Sequence, residues 1–251
     1  SKPLPVNAAY PEVHPLLLPP QWPPTLDNIA ATEAYVVEHG ALAYQAAVSQ
    51  GQYAFPGGLF FGGTEPTWSN TTLRQVLRQH GRSARQIAWI DLHTGLGPSG
   101  LGERIFANRD DASALARARR WWDGGGQTPV TSIYDGSSSS ARLTGLMGCA
   151  VLDECPQVEY TGIALEYGTL PWTEVTAALR ADHWLNLHPE APTEQRQVIK
   201  QQIRDAFYVD TDAWRAQIVT QARQAMFQAV DGLVLRRPEL AALSVVQVGV
   251  R

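Results

Sequence analysis

The sequence predicts an α/β layered fold, a sheet buried between helices. Two short apolar runs, Ile87-Ala-Trp-Ile-Asp-Leu-His-Thr-Gly and Thr161-Gly-Ile-Ala-Leu-Glu-Tyr-Gly-Thr, are each stopped by glycine, the pattern of strands covered on both faces. Stretches of helical apolar spacing lie before, between and after them. Apolar residues make up 44% of the 251-residue chain and charged residues 18%, a globular composition with chain enough for a substantial core.

The elements follow in order. Pro3, Pro5, Pro11, Pro15, Pro19, Pro20, Pro23 and Pro24 predict an extended covering segment over residues 1–24, because such density opposes helix and sheet interior. Residues 25–50 read as one helix, capped by Thr25 or Asp27, with an apolar stripe through Ile29, Ala30, Tyr35, Val36, Val37, Leu42 and Ala43. Residues 51–70 are rich in glycine and aromatics and read as a loop with unusual backbone needs. Ser69 or Asn70 is expected to cap a short helix reaching about His80. After the first strand, residues 111–122 read as a helix ending at Gly124-Gly-Gly. Val130-Thr-Ser-Ile-Tyr suggests a strand, a Gly/Ser loop runs through Ser140, and residues 142–153 suggest a helix. Beyond the second strand, helices are expected near 172–187, 193–207 and 211–231, and a short strand at Ser244–Val250. Neither an internal repeat nor a linker interrupts the chain, so residues 1–251 read as one domain.

Bulk properties exclude several partners. The net charge is -4 and the pI about 5.9, which opposes a nucleic-acid partner. The one dense basic cluster, Arg117, Arg119 and Arg120, is expected to be a solvated helix face. Two cysteines, Cys149 and Cys155, are too few for a disulfide framework or a cysteine-rich zinc knuckle and read as reduced thiols of a cytoplasmic protein. No apolar run reaches the ~18 residues of a membrane span, and the N-terminus has no apolar signal core.

In layered α/β folds ligands collect at the carboxyl ends of strands, which directs attention to the two glycine stops. Asp91 and His93 are two apart on a strand and share a face. His93 is well placed to give a nitrogen to a metal, with Asp91 either orienting it or bonding nearby backbone; a hydrogen-bonded structural histidine is the plain alternative. Glu166 follows Ile163-Ala-Leu. A carboxylate there is costly to bury, and burial raises its pKa toward that of a general base. The alternative is a carboxylate paired with an arginine or capping the helix after Pro171. Gly95-Leu-Gly97-Pro-Ser-Gly100 matches G-x-G-x-x-G, but no apolar helical stripe follows its third glycine, so a dinucleotide site is not expected. G-x-S-x-G and His-Glu-x-x-His do not occur, and His183 and His188, five apart, lie on different helix faces.

The segments Ile90-Asp-Leu-His-Thr-Gly-Leu-Gly-Pro and Gly162-Ile-Ala-Leu-Glu-Tyr-Gly-Thr, with Phe61-Gly-Gly-Thr-Glu-Pro-Thr-Trp-Ser-Asn and Leu179-Arg-Ala-Asp-His-Trp-Leu, resemble a bacterial domain-of-unknown-function branch of the zinc-carboxypeptidase-like proteins. That branch is related to zinc carboxypeptidases and to the aspartoacylase/succinylglutamate desuccinylase group. The resemblance implies a phosphorylase/hydrolase-like three-layer sandwich with a mixed, mostly parallel sheet flanked by helices. It also implies a zinc cofactor and a small peptide or acyl-amino-acid substrate cleaved at an amide bond. His93 matches the family's third zinc ligand, and Glu166 matches the glutamate that activates zinc-bound water. Tyr134 is a loose candidate for contacting substrate. The family's first two zinc ligands, from His-x-x-Glu, and a following Asn-Arg pair have no counterpart here, since His14 and His39 lack a Glu three residues on. An absent N-terminal part and an incomplete metal site are therefore expected, with a chain inactive by itself. The alternatives are a non-catalytic binding or structural domain of the same fold, or an N-acyl-amino-acid deacylase.

Overall fold

The computed structural model describes residues 6–123 and 129–234. The expected strand at Ser244–Val250 and the Gly124-Gly-Gly stop lie outside those residues. Helix α1 (Tyr10–Leu17) opens the described chain and corrects the extended reading of residues 1–24. Pro11 falls in the first turn, where no N–H partner is needed. Tyr10, Val13 and Leu17, at helical spacing, are buried without exposure, and that burial outweighs the interior Pro15.

The single helix expected over residues 25–50 is two, α2 (Leu26–His39) and α3 (Ala41–Ser49), with Thr25 capping the first as anticipated. Gly40 breaks them at φ 88°, a left-handed conformation glycine adopts without strain. The expected stripe splits with it: Tyr35 and Val36 pack beside α1, while Val37 and Leu42 are 87% and 82% exposed. Helix α4 (Trp68–Val76) is capped by Thr67, not by Ser69 or Asn70, and runs on into a π turn at Leu77–Gly81.

Strand β1 (Gln86–Ser99) is longer than its apolar core suggested, and β2 (Gly102–Phe106), not foreseen, follows a tight turn. Then come α5 (Ala112–Trp122), the two-residue β3 (Thr131–Ser132), α6 (Cys149–Glu154, shorter than expected) and β4 (Glu159–Gly168). The last helices, α7 (Trp172–Leu187), α8 (Thr193–Phe207) and α9 (Asp212–Val234), fall where helical periodicity placed them.

The sheet order is β1-β4-β2-β3. β1 runs parallel to β4, β2 antiparallel to β4, and β3 parallel to β2. On one face Phe106, Ile163, Leu165 and Tyr167 pack against Trp122 of α5 and Trp214 and Ala225 of α9. On the other, Val158 and Tyr160 meet Leu77, Val151 and Cys155 from the π turn and α6, with Trp89 alongside. The result is the three-layer α/β sandwich with a mixed, mostly parallel sheet. Arg117 departs from the solvated-face reading: its guanidinium donates to Thr161 Oγ1 and to the Tyr160 carbonyl, both at 2.7 Å, tying α5 to β4. Cys149 and Cys155 form no disulfide. Among the described residues no helix is long and apolar enough to cross a membrane.

Gly168, ending β4, is where the strand meets the β1–β2 turn: Gly100 N–H donates to its carbonyl at 3.0 Å, and its own N–H donates to Leu101 at 3.2 Å. A Cβ there would stand 2.1 Å from the Pro98 carbonyl oxygen, too close for backbone to yield cheaply. Gly168→Ala is expected to destabilise the fold by at least about 2 kcal/mol, read as a lower urea midpoint.

Candidate functional site

The register of β1 on β4 assembles the site. His93 is the Cα partner of Glu166 and Asp91 that of Ala164. Side chains of register partners in neighbouring strands share a face, so Asp91, His93 and Glu166 project together. β2 extends the row, since Glu103 is the partner of Glu166 from the other side. The structure thus brings together the three side chains that sequence spacing singled out, and adds a carboxylate that spacing missed.

Glu166 is 8% exposed. Desolvation by burial pushes its carboxyl up from an ordinary 4.5 to about 7; the Leu96 N–H and the nearby His93 partly oppose this, while Glu103 and Asp91 add to it. The arginine-paired alternative does not hold among the described residues, where Glu166 makes no ion pair. Nor does it cap α7, which has no side-chain cap. Its bond is to backbone: Leu96 N–H donates to Oε1 at 3.1 Å. That donor exists because residues 95–98 bulge out of β1 between Thr94, paired with Tyr167, and Ser99, paired with Gly168. Gly95 turns the chain there at φ 129°, and a Cβ on it would lie 2.7 Å from the Phe207 ring. The G-x-G-x-x-G string is therefore a bulged strand and turn leading into β2, without the helix a dinucleotide site requires.

His93 Nε2 lies 3.0 Å from Asp91 Oδ1, so Asp91 orients the ring. This hydrogen bond is the main cause of a raised His93 pKa, against the effect of burial; Asp91 and Glu166 add charge attraction. The imidazole is half-exposed and faces a cavity of about 280 Å³ whose lining includes Trp89, Asn108, Met147 and Tyr160. A second cavity of about 250 Å³ opens on the other side of Glu166, walled by Val48, Phe60, Trp172, Leu179 and Phe207. Glu166, Ser140 and Leu143 line both. The carboxylate thus stands at the junction of two lobes.

The Gly/Ser loop forms the wall between them. Glu103 holds it, accepting from Thr131 Oγ1 at 2.6 Å, from Ser139 N–H at 3.1 Å and from the Ser139 hydroxyl. Gln45 of α3 donates to the Ser139 carbonyl at 3.1 Å. Asn108, 4% exposed, donates to the Gly162 carbonyl at 2.8 Å and lines the first lobe. Sequence reading passed over Glu103 and Asn108; the signal was the run Arg104-Ile-Phe after Gly102, a short strand too brief to stand out. Tyr134 is elsewhere. Its hydroxyl donates to the Asn108 carbonyl and its ring lies under Arg142, so it steadies a lining residue and lines neither lobe among the described residues. His183 bonds the Gly57 carbonyl at 2.9 Å and is half-buried.

Zinc is a poor fit to this donor set. Among the described residues no group of three or more His, Cys, Asp and Glu could hold a metal ion. Asp91 already engages one nitrogen of His93, which leaves the other as the single imidazole donor, where a catalytic zinc takes three protein ligands.

Compared with known families, the chain matches the model described as "Protein of unknown function (DUF2817)" over residues 1–221. The chain belongs to that family. Neither the curated proteins nor the solved structures give a match.

The raised pKa of Glu166 has a consequence for stability. A carboxyl that titrates near 7 folded and near 4.5 unfolded favours the fold below about pH 4.5, and that contribution is lost as pH rises through 7. Glu166→Gln keeps the acceptor for Leu96 and removes the buried charge. It is expected to change stability little at pH 5 and to stabilise at pH 8 by up to roughly 3 kcal/mol, measured as the shift in urea midpoint at the two pH values.

Proposed function

We propose that the Asp91–His93–Glu166 centre hydrolyses an amide bond, of a small peptide or an acyl-amino acid, with Glu166 as general base. The observation that carries this reading is the position of Glu166: a buried carboxylate without an ion-pair partner among the described residues, at the junction of two cavities and raised to about 7. A base is most effective when its pKa lies near the working pH. Ionised, Glu166 takes a proton from a water aligned on the scissile carbonyl. His93, held by Asp91 and disposed to carry charge, faces the developing negative charge from the neighbouring strand. The Leu96 N–H fixes one oxygen of Glu166 and leaves the other for the water. Two lobes meeting at the base suit the two sides of a cleaved bond.

Kinship with the zinc carboxypeptidases is part of this proposal, supported by Asp-Leu-His and Ala-Leu-Glu at the ends of paired strands. Zinc would polarise the carbonyl and acidify the water. His93 would be one ligand, and the described residues do not complete the set, so no proton or charge movement above depends on the metal.

A panel of N-acyl amino acids and dipeptides tests the reading against the inactivity that the resemblance implied for the chain by itself. Hydrolysis should rise with pH through about 7, and Glu166→Gln should lower kcat/KM by about 10²–10⁴. Unchanged activity in that variant removes Glu166 from the role. After dialysis the chain is expected to hold zinc well below one equivalent by elemental analysis; a full equivalent that His93→Ala abolishes would show a complete site.

A further inference from the structure

Phe60 has a positive φ of 53°, the left-handed region that a bulky side chain adopts only when its surroundings impose it. The surroundings are explicit. Gln52 is 2% exposed, and its amide clamps the loop: Nε2 donates to the Phe55 and Leu59 carbonyls at 2.8 and 3.3 Å, and Oε1 accepts from Phe55 N–H at 2.8 Å. The Gln52 backbone N–H bonds the Phe60 carbonyl at 3.1 Å, and Gly62 N–H returns to Gln52 at 2.9 Å. The outcome is a strained residue whose ring is not spent on the core. It stays 41% exposed at the second lobe, opposite Trp172 and Phe207.

We propose that Phe60, Trp172 and Phe207 form an aromatic recognition lobe that seats an uncharged, bulky apolar group on one side of the scissile amide, with Phe60 as its specificity-determining residue. The inference rests on the hydrolase reading for the word scissile and on geometry for the rest. Among the described residues Glu166 is the one charged side chain lining this lobe. Its apolar walls come from α3, α7 and the end of α8, and its volume of about 250 Å³ accepts a phenyl or branched alkyl group. The Phe207 ring also packs on Gly95, beside the Leu96 N–H that holds Glu166, so an occupant would lie against the catalytic carboxylate. A loop that holds an aromatic residue in an unfavourable conformation and then leaves its ring open gains nothing for folding; the gain is in binding.

Calorimetric titration in the Glu166→Gln background, where turnover does not interfere, tests this with N-acetyl-phenylalanine amide and N-acetyl-alanine amide. The phenylalanine amide is expected to bind about tenfold more tightly. Phe60→Gly, which suits the positive φ, should bring the two amides to near parity without weakening the alanine amide or lowering the thermal midpoint. Phe60→Asn, also compatible with that backbone, should do the same. Equal affinity for the two amides, no binding of either, or an unchanged preference in both variants overturns the proposal. A preference in binding without hydrolysis by the parent chain sinks the hydrolase reading and upholds the lobe; hydrolysis of both amides at equal kcat/KM sinks the lobe and upholds the hydrolase.

Discussion

The parallel pairing of β1 with β4 is the constraint on which the rest depends. Its register places His93 beside Glu166 and Asp91 beside Ala164. A slip of one residue would turn these side chains to the opposite face, among the tryptophans of α5 and α9. The register is held from that side: Ile163, Leu165 and Tyr167 must alternate inward to fill the core. What fixes the polar row is thus the apolar row behind it.

The bulge in β1 converts this frame into a site. A strand continuing past Thr94 would spend its N–H groups on β4. By leaving the ladder at residues 95–98 and rejoining at Ser99, it aims the Leu96 N–H at Glu166 instead. Among the described residues Glu166 has one backbone donor and no arginine partner, which leaves its burial short of full compensation, and its pKa climbs toward neutrality. Asp91 acts in the opposite sense on His93, favouring its charged form. Burial thus favours the neutral form of Glu166, while Asp91 favours the charged form of His93 on the adjacent strand.

Loops complete the surroundings, each held by a buried or half-buried polar side chain. Glu103 binds the Ser139 segment that separates the lobes, and Gln52 binds the loop that presents Phe60. In both cases a buried or half-buried polar side chain supplements the sparse backbone pairing of a Gly- or Ser-rich segment.

The sequence by itself determined strands β1 and β4, α5 and the three long C-terminal helices, because buried apolar runs and amphipathic periods are local patterns. It also brought Asp91, His93 and Glu166 forward, since a period of two puts Asp91 and His93 on one face and a glycine stop marks a strand's end. The tertiary structure decided the rest. Helix α1 forms despite Pro11 and Pro15 because Tyr10, Val13 and Leu17 find a core to enter. β2 exists because β4 offers it an edge, and with it came Glu103 into the row with Glu166. Phe60 was legible as part of a glycine-rich loop, but its backbone conformation and its place opposite Trp172 depend on Gln52 and on helices far away in sequence. Local patterns carry the information for elements with one repeating period. A junction of two cavities at a single carboxylate arises from contacts between segments far apart in the chain, which no local period encodes.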